Sequence, residues 1–176
     1  MAVSRAATVP EQPVTEQQGP GAADDLDRAA STLRELLDAA RRRIWLHTRC
    51  SLLNALPPLT IGESMTRVAR RTRHASLRLL IDDPLELKQT QPQLARTVTR
   101  LTTAIEVRRL EPAEDVPASL LLIVDRGAWL YLVQHKGRVG LKAARDDPAG
   151  ARIASERFAE GWAIGAAALE LRNLML

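Results

Sequence analysis

Asp24 and Asp25 open a run in which apolar residues fall at Leu26, Ala30, Leu33, Leu37, Ala40 and Ile44. Steps of three and four place these residues on one face of a helix. The acidic start and the triplet Arg41-Arg42-Arg43 match the helix dipole at its two ends. The pattern therefore predicts a helix that hands directly into a short buried strand, Ile44 to Thr48. After Pro57 and Pro58, Thr60 is placed to cap a second helix with a core face of Ile61, Met65, Val68 and Thr72. Glu63, Arg67, Arg70, Arg71 and His74 turn away from that face.

Leu77 to Ile81 reads as a second strand, stopped by Asp82, Asp83 and Pro84. A third helix from about Pro92, with Leu94, Val98 and Leu101 on one side, leads to a strand at Ile105 to Arg108. The alternation of helix and strand predicts an α/β layered fold, a mixed, largely parallel sheet flanked by helices. Ser119 to Val124, a turn at Asp125-Arg126-Gly127, and Ala128 to Val133 form a hairpin. Gly137 and Gly140 flank a basic exit carrying His135, Lys136, Arg138 and Lys142. Asp146, Asp147 and Pro148 then introduce a last helix with Ile153, Phe158, Trp162 and Ile164, and Ala166 to Leu176 continues or restarts it. No internal repeat and no sustained heptad pattern is present.

Residues 1–23 break this regularity. Pro10, Pro13, Pro20, Gly19 and Gly21 stand among Glu and Gln with no hydrophobic period, the composition of a disordered tail. The expected organisation is that tail followed by a single α/β domain over 24–176, within the usual size of one domain for 176 residues. Met1 to Gly21 has no apolar run of seven or more residues, so it is not read as a secretory signal. Unbroken apolar stretches such as Leu120 to Val124 are far short of the roughly 20 residues that span a bilayer. The lone Cys50 rules out an intrachain disulfide and fits a reducing compartment. A soluble, cytoplasmic protein without a membrane span is expected.

Net charge is +4, unevenly distributed. Residues 1–40 carry three basic and seven acidic side chains, residues 41–109 fourteen and five, residues 110–176 eight and nine. Only Lys88, Lys136 and Lys142 of the 25 basic residues are lysines, leaving 22 arginines, whose planar forks suit phosphate. An Ala- and Arg-rich, Lys-poor composition is also what a GC-rich bacterial genome produces. The best functional candidate is the basic face of the second helix: Arg67, Arg70, Arg71 and His74 stack on one side, with Arg73 beside them, and their field can engage phosphates.

The other chemistry-bearing residues have plainer readings. His47 sits in an apolar strand without Ser, Cys or a second His at a telling spacing, and His135 with Lys136 reads as hairpin surface. Cys50 is an ordinary half-buried cysteine without an activating base. Asp82-Asp83 and Asp146-Asp147 are loop and helix-cap residues that need no metal. No Cys/His cluster has zinc spacing, no glycine-rich loop resembles a phosphate-binding loop, and nothing calls for a cofactor. Trp45, Trp129, Trp162, Tyr131 and Phe158 all fall in core elements, which gives no single-strand stacking platform.

Five segments carry a family resemblance. Ala39 to Leu46, Met65-Thr66-Arg67-Val68-Ala69-Arg70 and Leu77-Arg78-Leu79-Leu80-Ile81-Asp82 together resemble one half of a phospholipase D-like domain. Leu121 to Gly127 resembles that family's strand and turn after its active-site motif, and Phe158 to Trp162 its closing helix. The resemblance spans about residues 25 to 165 and is one of pattern. That superfamily's motif is His-x-Lys-x-x-x-x-Asp; aligning its aspartate to Asp125 puts Ala118 at the nucleophile and Leu120 at the lysine. Neither side chain can attack or hold phosphate. The resemblance thus implies a half-domain without catalytic residues, a binding or assembly module with no cofactor. It implies also that such halves pair as a homodimer across the face that would hold the active site. The expected ligand is nucleic acid or another phosphate-bearing molecule. Two alternatives stand beside it: a divergent phosphodiesterase with His47 or His135 as relocated nucleophile, and a protein-interaction domain serving a partner such as an acetyltransferase.

Overall fold

The computed structural model describes residues 21–171. Residues 1–20, which hold nearly all of the expected tail, lie outside them; Ala22 and Ala23 are already helical. In chain order the elements are α1 (Ala22–Ala39), β1 (Arg43–Thr48), α2 (Cys50–Ala55), α3 (Ile61–Arg71), β2 (Ser76–Ile81), α4 (Pro84–Thr90), α5 (Pro92–Arg100), β3 (Ile105–Arg109), β4 (Ala118–Val124), β5 (Ala128–His135), β6 (Arg138–Ala144), α6 (Pro148–Ile164) and β7 (Ala166–Ala167), closed by a 3₁₀ turn at Leu169–Leu171.

The seven strands form one sheet in the order β6-β5-β4-β1-β2-β3-β7. β1, β2 and β3 are parallel, joined by crossovers through α2–α3 and α4–α5. The other four pairings, β1–β4, β4–β5, β5–β6 and β3–β7, are antiparallel. The sheet is therefore mixed, and the expectation of a largely parallel one is corrected. Tight turns join β4 to β5 and β5 to β6, and strands linked by a short turn can only run antiparallel. Lys136 and Gly137, both at positive φ, make the second of these turns, so the basic exit is a turn into a third meander strand.

Alternation sorts the strand side chains onto two unequal cores. Ile44, Leu46, Leu77, Leu79, Ile81, Leu120, Leu122, Leu130 and Leu132 face the layer of α1 to α5, meeting Leu33, Leu37, Met65 and Val68. Among the described residues the opposite face carries α6 alone, and its smaller core is Leu80, Leu121, Ile123, Ala154, Phe158 and Trp162. Leu120 to Val124 is buried along its whole length, as a central strand covered on both sides requires.

Other expectations shift with the tertiary context. α1 stops at Ala39 and has no basic residue in its last turn, so the arginine triplet does not cap it. The C-terminal carbonyls of α1 are met by Arg67, whose guanidinium donates to Leu37 O at 2.7 Å, Asp38 O at 3.0 Å and Ala40 O at 3.4 Å. Thr60 is the N-cap of α3, without a side-chain capping bond. Ile153 and Ile164 stand exposed on α6 while Phe158 and Trp162 are buried. Ala166–Ala167 pairs with β3 instead of continuing the helix; residues 172–176 lie outside the described ones. Among the described residues no helix is long and apolar enough to cross a membrane.

Candidate functional site

The chain leaves α1 at Ala40 and must turn before β1. It does so over Asp125, the first residue of the β4–β5 turn, held at φ 51° where Asp and Asn are tolerated better than most residues. The Asp125 carboxylate accepts three successive main-chain N–H groups: Arg41 at 3.1 Å, Arg42 at 2.8 Å and Arg43 at 3.0 Å. Successive N–H groups converging on an anion form a nest. Here the protein's own aspartate fills it, and the three arginine side chains are splayed around one point.

A recess of about 580 Å³ opens there, lined by Arg41, Arg42, Arg43, Arg126, His74, Ser76 and Asp125. Asp125 is its only acidic residue, and both of its oxygens are engaged by main chain. None of the four arginines forms an ion pair within 4 Å with another described residue. Burial lowers the Arg43 pKa from its ordinary value; Asp125 opposes that shift and the Arg126 charge reinforces it.

From Arg43 the basic strip runs diagonally across the sheet face that α6 leaves partly open. Arg43 lies 4.7 Å above Trp45; Arg78 stands between Trp45 at 5.0 Å and Trp162 at 5.1 Å; Arg108 lies 4.8 Å from Trp162. Phe158 stacks between the two indoles at 5.2 and 5.6 Å. Guanidinium over indole is a favourable electrostatic contact that leaves the guanidinium edge free to donate. Part of this strip is already spoken for: Arg108 donates to Trp162 O at 2.6 Å, and Arg78 Nε sits 3.5 Å from Glu106.

A family model described as a domain of unknown function, DUF7931, matches residues 25–174. The chain belongs to this family. No curated protein matches it significantly. Among solved structures, TrmBL2, an archaeal chromatin protein whose structure shows a novel mode of DNA binding, is similar, with a TM-score of 0.61 and 14% identity. The likeness covers 89% of this chain and 56% of that one, so the DUF7931 chain matches little more than half of TrmBL2's length. At that identity it concerns the fold.

Within this DUF7931 fold the residues singled out from sequence separate. His74 reaches the recess; Arg67 faces α1 and caps it; Arg70 and Arg71 are exposed in the last turn of α3. The four do not share one free helix face, because Val68 and Met65 must point inward and carry the neighbouring Arg67 toward the α1 terminus. Arg41, Arg42, Arg43 and Arg126, which sequence reasoning assigned to a helix end and a turn, form the recess instead. The Asp-Arg-Gly turn was the available signal, since an Asp there commonly bonds nearby main chain. Of the motif-aligned positions, Ala118 begins β4, Leu120 is fully buried in the larger core, and Asp125 holds the turn.

The remaining candidates have structural partners. His47, half-buried on the α6 face, has its pKa lowered by burial first, then by Arg157 and Arg49, with Asp82 opposing. Its side chain has no hydrogen-bond partner among the described residues, and His135 is exposed at the β5 end. Cys50 is buried, its thiol bonded to Asp83 O at 3.2 Å, and burial together with Asp82 pushes its pKa up to about 12. Asp83 caps α4, while Asp147 caps α6 and accepts from Trp129 Nε1 at 3.1 Å. A Cβ at Gly150 would collide with that carboxylate and indole. Among the described residues no group of three or more His, Cys, Asp or Glu is arranged to hold a metal.

Proposed function

We propose that this chain is a non-catalytic, phospholipase D-like binding module that holds the phosphate backbone of a nucleic acid in the recess between α1, β1 and the β4–β5 turn. The observation that carries the reading is the convergence of Arg41, Arg42, Arg43 and Arg126 on a cavity whose one carboxylate is fully engaged by main chain. Four arginine forks against one carboxylate give a concave site of net positive charge, which attracts and orients phosphate oxygens. His74 and Ser76 add donors at its floor. The DNA binding reported for TrmBL2, a protein of similar fold, supports nucleic acid over a small phosphate. Burial of Leu120 in the helix-side core supports the absence of catalysis, since a lysine there could not reach a ligand.

The test is binding of the full chain to labelled single- and double-stranded DNA and RNA across a salt series, beside an Arg41→Glu/Arg42→Glu/Arg126→Glu variant. Three to four phosphate contacts predict a slope of about −3 in log affinity against log salt, or roughly 60-fold weakening from 50 to 200 mM. The variant should lose binding, while Arg138→Glu, at the β5–β6 turn and so at the other end of β5 from the recess, should keep it. Absence of binding at low salt, or equal binding by the variant, refutes the proposal. Cleavage of the oligonucleotide abolished by His47→Ala or His135→Ala would establish the phosphodiesterase alternative in its place.

A further inference from the structure

Among the described residues α6 is the one helix on its face of the sheet, and its inner side is accounted for by Ala151, Ala154, Phe158 and Trp162. One outer flank is not. Ile153, Arg157, Glu160 and Ile164 follow one another at intervals of four, three and four residues, which lines them up along a single stripe. Ile153 is 61% exposed and Ile164 77%, and no other described large apolar side chain exceeds either. Isolated exposed apolar residues are ordinary. Two at the ends of a charged stripe on an otherwise amphipathic helix are less so.

The order of the stripe reads the same from either end with its charges exchanged: apolar, cation, anion, apolar. If a second α6 is laid antiparallel on the first about a twofold axis between residues 158 and 159, Ile153 meets Ile164 of the partner and Arg157 meets Glu160 of the partner. The same two contacts recur on the other side of the axis. Each apolar pair lies about 8 Å from the axis and each charge pair about 2 Å from it along the helix, at 1.5 Å rise per residue. An isologous interface requires this self-complementarity of one patch with itself.

On the same helix Arg152 and Glu156 pair with each other at 2.8 Å, whereas Arg157 and Glu160 have no ion-pair partner among the described residues, though three residues apart and opposite in sign. Arg157 lies 4.8 Å over the Tyr131 ring and donates to Tyr131 Oη at 3.4 Å, so its guanidinium turns toward the sheet and must swing from this exposed contact with a neutral ring to meet the partner's Glu160. We infer that this flank of α6 is a homodimerisation surface and that its occupant is a second copy of this chain, docked antiparallel in the register Ile153–Ile164, Arg157–Glu160. The inference is independent of the phosphate-binding reading, because the recess and this flank share no residue.

Sedimentation equilibrium of the full chain over about a hundredfold range of concentration tests it, since mass action reveals a reversible dimer. The wild type should approach twice 19.4 kDa at the upper end. Glu160→Arg, which sets four cations around the axis and breaks no hydrogen bond or ion pair among the described residues, should weaken the dimer by about tenfold or more. Arg157→Glu should do the same, and the combined Arg157→Glu/Glu160→Arg chain, which restores both pairs with reversed polarity, should recover affinity to within about threefold of wild type. Ile164→Lys gives a second probe should Arg157→Glu fold poorly, and circular dichroism of each variant monitors folding. A wild type that stays monomeric, a dimer indifferent to Glu160→Arg and Ile164→Lys, or a folded charge-swapped chain no better than the single variants would each overturn the inference.

Discussion

Replacing Asp125 with alanine removes the acceptor on which three main-chain donors converge. The Arg43 N–H is part-buried, and losing a charged acceptor there costs about 1–3 kcal/mol. Arg41 and Arg42 are exposed, so water takes over their N–H groups at roughly 0.5 kcal/mol each. Alanine must also adopt the left-handed conformation that Asp125 holds at φ 51°, at about 1 kcal/mol. The sum is about 3–5 kcal/mol, which for a domain of this size lowers the melting midpoint by roughly 10 °C. An asparagine side chain keeps an acceptor oxygen and tolerates the same φ, so Asp125→Asn should cost only about 1–2 kcal/mol. Urea titrations with an unchanged slope would assign the difference to native-state stability. The reasoning is refuted if Asp125→Ala melts within about 2 °C of the wild type, or if Asp125→Asn is as damaging as alanine.

Further outcomes follow from the same geometry. Arg67→Ala, which takes the guanidinium from three carbonyls at the end of α1 and leaves only Leu37 O with a main-chain donor, should cost about 1–2 kcal/mol in urea denaturation, while Arg70→Ala and Arg71→Ala stay within about 0.5 kcal/mol. The Cys50 thiol, with its pKa near 12, should react with a thiol reagent at pH 8 only as fast as the chain opens, so its labelling rate should rise steeply with denaturant. His47 has its pKa lowered in the folded state, so below about 6.5 the unfolded chain takes up a proton that the folded chain resists, and stability falls as pH drops through that value. His47→Gln should therefore lose less stability than the wild type between pH 7.5 and 5.5, and parallel urea midpoints would contradict this. Arg78→Lys keeps the charge but gives up the planar stack between Trp45 and Trp162, and should cost about 1–2 kcal/mol in the same assay.

How far the sequence reaches can be judged from particular elements. β1, β2, β3, α3 and α5 sit within a residue or two of the expected bounds because period and punctuation coincide there, as at Thr60 before α3 and Asp147-Pro148 before α6. α2 and α4, of six and seven residues, are too short to show a helical period and were not expected. β6 was missed because Gly137 and Gly140 made a strand look like a loop, although its burial alternates once it is paired with β5. The antiparallel half of the sheet depends on β4 pairing with β1, a contact some 75 residues apart that no local pattern encodes. The site shows the same limit. A basic middle third was legible, but three arginines beside a helix read as its cap until Asp125, 82 to 84 residues away, claims their main-chain donors.

The arginines of the chain fall into two groups in the structure. Across exposed surface such as Arg138 or Arg152, the guanidinium makes no described contact that a lysine could not. On the α6 face the shape of the guanidinium matters. A sheet covered by five helices on one side and one on the other must close its thinner side with long residues that are apolar along the stem and polar at the tip. Arg43, Arg78 and Arg108 do this in alternation with Trp45 and Trp162, each guanidinium covered by an indole on its flat face. An ammonium in those positions would need a hydration shell that the stack leaves no room for. The packing need that selects arginine on β1, β2 and β3 also leaves Arg43 at the lip of the recess. The basic strip is thus continuous with the core that supports it, and under the proposed phosphate reading Arg43 variants should alter urea stability and oligonucleotide affinity together, whereas Arg41 and Arg126 variants should alter affinity alone.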